Sequence, residues 1–180
     1  LLKIKHVGLR ILMVVAIGIS FLLASSSLKT SIPFDRSIQN VQKVYHQIAV
    51  HSGEQDVPDL IVLHSGIVNA WTDGQTIFIT TAILDIMKND NELAMVVAHE
   101  LAHAINHDVY HSDLASVLVE AHADKLGGFL MLRAGYDVCT GKEIFRTFSK
   151  LYGDTTLPSD HPSNAYRLDQ LDMPWCTPEI

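Results

Sequence analysis

His99-Glu100-Leu101-Ala102-His103 constrains this chain more than any other stretch. Two histidines four residues apart on a helix share one face, one turn apart, so their imidazoles can converge on one cation. Glu100 lies about 100° round the helix from His99, within reach of water on that cation. The flanks Val96, Val97, Ala98, Leu101, Ala102, Ala104 and Ile105 are uncharged, which predicts a buried helix. Buried imidazoles and carboxylates need partners, and a metal ion supplies one to all of them.

A catalytic Zn²⁺ takes three protein ligands and keeps an open position. The extended pattern, with a glycine and a third histidine on the same stretch, fails because Asn106 and Val109 stand there. The next helix offers Glu120-Ala121-His122-Ala123-Asp124. Glu120 and Asp124 share a face. Glu120 is the candidate third ligand, and Asp124 is placed to accept the free N–H of a ligating histidine. Ala121 and Ala123 are small enough to let the two helices approach. Val117, Leu118, Val119 and Leu126 around the pair speak against a solvated acidic face. The expected centre is one Zn²⁺ per chain on His99, His103 and Glu120, with Glu100 as general base and Asp124 behind the ligands. A purely structural zinc would have four ligands and favour cysteine. The two cysteines, Cys139 and Cys176, lie far along the chain. They can pair in an oxidising compartment or remain free thiols.

The chain of 180 residues suffices for one domain with a core. Its net charge of −7 argues against nucleic acid as a partner. Mean hydropathy is +0.19, and much of the apolar excess sits at the front. Lys3, Lys5 and Arg10 precede the apolar run Ile11 to Ala24, and no acid occurs before Asp35. That is the order of a secretory signal. Counted from Val7 to Leu28, the run is also long enough for a membrane anchor. The expected division is 1–26 as signal or anchor, 27–36 as linker and 37–180 as the working domain. Residues 1–26 hold three positive charges and no negative one, so the remainder carries −10 rather than −7. An exported protein, periplasmic or tethered to the membrane, follows as an expectation.

Apolar spacing predicts a helix over Ser37 to Val50 stopped by Gly53, and a strand at Leu60 to Leu63. A hairpin is predicted over Ile67–Trp71 and Thr76–Thr80, around Asp73-Gly74. A short helix at Thr81–Met87 precedes the metal helix, with Asn89 and Glu92 as a capping box. Later helices are expected from Ser112 or Asp113 to Ala134, from a Thr140–Glu143 capping box to Leu151, and over Ser163–Leu171. The fold class is α+β, mostly helical, with one small sheet beside the metal helix. Strand Thr76–Thr80 is expected to receive an extended substrate peptide by strand addition.

In ordered segments the chain resembles the M48 family of zinc metallopeptidases. They are Val68-Asn69-Ala70-Trp71 with Gly74 and Ile77-Phe78-Ile79-Thr80, then Asn91 to His103 with His107. Glu120-Ala121-His122-Ala123-Asp124 with Gly127, Ala134-Gly135-Tyr136-Asp137, and Asp160-His161-Pro162 with Arg167 complete the series. The resemblance implies a zincin-like fold, endopeptidase activity on polypeptides and an extracytoplasmic or membrane setting. It offers His161 and Arg167 as catalytic residues that donate to the oxyanion. His161 can alternatively cap the zinc at rest, and Arg167 can instead pair with Asp124 or Asp160. The competing reading is a chaperone-like module that holds unfolded envelope proteins with little proteolysis. His107 and His111 drift off the metal face, so His107 reads as a second-row residue. His122 points elsewhere, and His6, His46, His51 and His64 read as structural or exposed.

Overall fold

The computed structural model describes residues 34–108, 116–154, 162–172 and 176. The N-terminal apolar segment, His111, Ser112, Asp113, Asp160 and His161 lie outside them. Among the described residues no helix is long and apolar enough to cross a membrane.

Seven helices and three strands are described. They are α1 (Ile38–Ser52), β1 (Asp59–Leu63), β2 (Ala70–Thr72), β3 (Thr76–Thr80), α2 (Thr81–Ile86), α3 (Asp90–Ile105), α4 (Ser116–Arg133), α5 (Val138–Gly141), α6 (Glu143–Tyr152) and α7 (Asn164–Gln170). The α+β class with a mostly helical body is as expected. Helix α3 runs through the middle and packs on α1, α4, α5, α6, β2 and β3. That central place explains its sequence: with neighbours all round, it has no polar face to present. Leu93, Met95, Val97, Ala98, Leu101 and Ala102 are fully buried.

Local signals set most boundaries. Ser37 caps α1 by accepting from the Asn40 N–H, and Gly53 ends it in the left-handed region at φ 88°. Arg36 ties the approach to α1 onto the end of α2, donating to the Leu84 and Met87 carbonyls at 2.9 Å each. Asn89 caps α3 by accepting from the Glu92 N–H at 3.0 Å. The expected reciprocal bond is different, because the Glu92 carboxylate accepts from the Lys88 N–H at 2.8 Å, not from Asn89. The Thr140–Glu143 capping box does not form. Asp137 caps α5 instead, and the Thr140 hydroxyl donates to Asp137. A separate α6 then starts without a side-chain cap.

The sheet has the order β1-β3-β2. The predicted hairpin is β2 with β3, antiparallel, and β1 adds to the other side of β3 in parallel. Strand β3 is therefore the middle strand. Its backbone groups are used on both sides, so the expected addition of a substrate peptide to Thr76–Thr80 is excluded. The available edge beside α3 belongs to β2. Ile77 and Ile79 point into the core. Phe78 faces the other way and stacks on Trp71 of β2, ring centroids 4.9 Å apart.

Two features lock the ligand-bearing layer. A Cβ on Gly127 would lie 3.1 Å from the Ala98 carbonyl carbon and the His99 nitrogen. Glycine there lets α4 lie directly on the α3 backbone, and Ala123, one turn earlier on the same face of α4, is fully buried. At the other end Cys139 and Cys176 form a disulfide. Beside it the Lys142 ammonium, itself buried, bonds the Asp172 carboxylate at 2.9 Å.

Candidate metal centre

Helix α3 supplies His99 and His103, and α4 supplies Glu120. Their candidate ligand atoms all lie within 4.8 Å of one another. His99 Nε2 and His103 Nε2 are 3.0 Å apart. Glu120 reaches His99 Nε2 at 3.3 Å and His103 Nε2 at 3.2 Å. Zinc–nitrogen and zinc–oxygen bonds of about 2.0–2.1 Å at tetrahedral angles would set such atoms about 3.3 Å apart. Two imidazoles and a carboxylate at this spacing fit zinc. His99 and Glu120 are buried, and His103 is half-buried.

Both imidazoles are held by carboxylates on their outer nitrogens. Asp124 meets His99 Nδ1 at 2.9 Å. Asp108 meets His103 Nδ1 at 2.9 Å. A carboxylate on Nδ1 fixes the tautomer that aims the Nε2 lone pair at the metal position. The structure thus brings the predicted Asp124 to His99. Asp108 was missed by sequence reasoning. After α3 the chain turns through His107, which holds the left-handed conformation at φ 57°. This turn swings Asp108 back onto His103. His107 itself is exposed, so the expected second-row histidine is replaced by the aspartate after it. His46, His51, His64 and His122 are also exposed. Val117 and Leu118, expected to bury the acidic pair, are exposed as well. The pair is buried by α3 instead.

Arg167 of α7 reaches the rear of the site. Its Nε donates to Asp124 at 2.8 Å and a terminal nitrogen donates at 2.6 Å. The same terminal nitrogen lies 3.1 Å from His99 Nδ1, and the guanidinium stacks on Phe145 at 4.1 Å. Of the two partners expected for it, the structure places Arg167 on Asp124. Burial disfavours the ionised Asp124, but the Arg167 charge and hydrogen bonds outweigh it and bring the carboxyl down to about 2. Burial and Arg167 likewise disfavour a charged His99. Hydrogen bonds to Asp124 and Glu120 prevail there, and the metal-free imidazole rises to about 9.

Glu100 is buried too. With His99 it lines a cavity whose other walls include Asn69, Ala70, Met95, Val96, Phe145, Phe148, Pro162 and Arg167. The centre therefore joins a ligand triad, an adjacent carboxylate and a recess in one place.

Removing Asp108 is expected to weaken the metal site without unfolding the domain. Asp108→Ala should lower zinc affinity by about 10- to 100-fold. A competition titration against a chromogenic chelator measures this, and equal affinity in the variant and the parent would exclude the role.

Comparison with known proteins agrees with this geometry. Residues 35–119 match the profile of Peptidase family M48. The match stops one residue before Glu120, so the third ligand rests on the structure itself. A relative is the mitochondrial metalloendopeptidase OMA1 of Arabidopsis thaliana, 26% identical over 144 aligned positions. The alignment covers 61% of this chain and 30% of that protein.

Proposed function

We propose that this chain, whose residues 35–119 match the profile of Peptidase family M48, is a zinc-dependent metalloendopeptidase. The observation that carries the reading is the triad of His99, His103 and Glu120 at zinc-ligand spacing, with the buried Glu100 beside it. Zinc bound there supplies Lewis acidity, polarising a peptide carbonyl and acidifying water. The Glu100 carboxylate takes a proton from the attacking water and passes it to the leaving amine. Asp124 and Asp108 keep the two imidazoles in register, and Arg167 acts through Asp124 as a positioning residue. His161 is the proposed donor to the oxyanion, supported by its neighbour Pro162, which lines the cavity.

The substrate is a polypeptide in extended form. Thr80 N–H donates to the Asn69 carbonyl and Asp73 N–H to the Thr76 carbonyl. Antiparallel alternation then turns the Ala70 N–H and C=O away from β3. Ala70 also lines the cavity beside Glu100. A chain added along β2 would be held by backbone bonds, which favours unfolded or misfolded exported proteins over a folded target. The Cys139–Cys176 pair supports an oxidising, extracytoplasmic location. The positive and apolar order of residues 1–26 supports export or anchoring.

The test is zinc content and digestion of an unfolded protein such as casein, with and without chelator. Parent protein should hold one zinc per chain and lose activity to the chelator. Glu120→Gln should emerge from dialysis largely metal-free. Full zinc occupancy in that variant would reject Glu120 as a ligand, and chelator-resistant digestion would reject the metal mechanism.

A further inference from the structure

We propose that the outer face of α4 docks on a membrane of anionic lipid, lying flat among the headgroups. The inference does not depend on the peptidase reading. It takes up the anchoring reading of the N-terminal segment and adds a second contact to it.

Helix α4 is apolar on two opposite sides. Its inner side, at Gly127, lies on α3, and Ala123, Leu130 and Met131 are buried there. At about 100° per residue the opposite side carries Leu118, His122, Lys125, Phe129, Leu132 and Arg133. All six are exposed, Leu118 by 70% and Phe129 by 54%. A surface helix ordinarily shows water a polar face. Here a strip about 22 Å long shows it leucine and phenylalanine among the cations. An apolar strip with a polar rim has the form of a protein or membrane contact.

Charge decides between those occupants. The acids of α4 are Glu120 and Asp124, and both are buried in the candidate metal centre. The exposed strip therefore holds Lys125 and Arg133 with no acid of its own, although residues 27–180 carry −10. Apolar side chains interleaved with cations are what an interfacial helix presents to anionic headgroups. Lys125 can lay its stem along the apolar neighbours and hold its ammonium at the phosphates. A second copy suits the strip less well. Leu118 and Leu132 lie equally far on either side of Lys125, so two-fold pairing would set that lysine against its own copy. The N-terminal run Ile11–Ala24 supplies reach. An extended chain from Ala24 to Ile38 spans at most about 50 Å. A bilayer that holds the run thus makes the α4 contact effectively intramolecular, and stable attachment takes two such signals. The described lining of the cavity beside Glu100 comes from outside α4, so docking through this face leaves those walls untouched.

The test uses the full chain reconstituted with vesicles, either phosphatidylcholine alone or one part phosphatidylglycerol to two parts phosphatidylcholine. Phe129→Cys carries a nitroxide, and labelling is selective because Cys139 and Cys176 are already paired. Lys150→Cys, exposed on α6, is the control. Both positions lie at the surface, so unchanged melting temperatures verify the fold. In the anionic vesicles the label at 129 should gain collisions with oxygen and lose collisions with a water-soluble nickel chelate. The label at 150 should stay aqueous throughout. Adding Lys125→Glu should shrink the immersed population at least about fivefold. A label at 129 that stays aqueous on floating protein would overturn the docking face while leaving the anchor standing. Protein that does not float with the vesicles would overturn both contacts. Equal immersion in the two lipid mixtures would overturn the preference for anionic lipid. Dipolar broadening between labels at 129 would mean that a second copy covers the face, and would overturn the proposal.

Discussion

Glu100→Gln is expected to retain zinc and to lose about 10²- to 10⁴-fold in kcat, the range that general acid–base catalysis supplies. The substitution preserves volume in a side chain that is only 7% exposed. Glutamine can still accept a hydrogen bond, but it cannot take up and return a proton at neutral pH. The ligand atoms of His99, His103 and Glu120 are untouched, so metal analysis should match the parent protein. Digestion of an unfolded protein by this variant at the parent rate would refute the role of Glu100. A chaperone-like module would show the same zinc content and no difference in its already low cleavage.

Asp124→Asn should have the largest effect on stability. Asp124 is fully buried between His99 and Arg167. Asparagine has nearly the same shape but leaves a buried guanidinium without its counter-charge. Breaking such a pair costs about 3–5 kcal/mol, which lowers Tm by roughly 10 °C in a domain of this size. Zinc affinity should fall as well, since His99 loses the carboxylate that orients it. The pH dependence has a definite sign. The native Asp124 carboxyl is held down to about 2, from an ordinary 3.8. Its contribution is complete above 3.8 and is lost as pH falls through about 2. The Asp124 carboxylate's share of the stability gap between parent and variant should therefore be constant from pH 5 to 7 and vanish between pH 4 and 2. Thermal unfolding of both proteins across that range checks it, and equal Tm values at pH 6 would refute the buried pair.

The candidate metal ligands were legible in the sequence because their placement is local. Spacing of four on one helix brings His99 to His103, and again Glu120 to Asp124, with only the helix–helix approach left open. Asp108 was hidden for the opposite reason. Its contact depends on a left-handed turn at His107, a conformation uncommon outside glycine. Read by spacing alone, His103, His107 and His111 continue a helical stripe. The exchange of β3 from edge to centre was also invisible. The hairpin signal is local, whereas β1 joins β3 across an intervening loop and strand. Arg167 entered only through the family resemblance, because α7 is brought to Asp124 by tertiary packing. Glu92 and Thr140 were credited with caps on pattern. In each case another partner, the Lys88 N–H or Asp137, took the hydrogen bond.

The Cys139–Cys176 bond turns the last part of the chain into a covalent ring spanning a sequence separation of 37. Arg167 sits within that ring, while the candidate ligands beside it sit outside it on α3 and α4. A single backbone cut anywhere between the two cysteines leaves every atom of the ring attached to the rest of the molecule. Nicked protein would run as one species without reductant and as two with it. One scission would then leave the guanidinium tethered to the domain that carries its carboxylate partner.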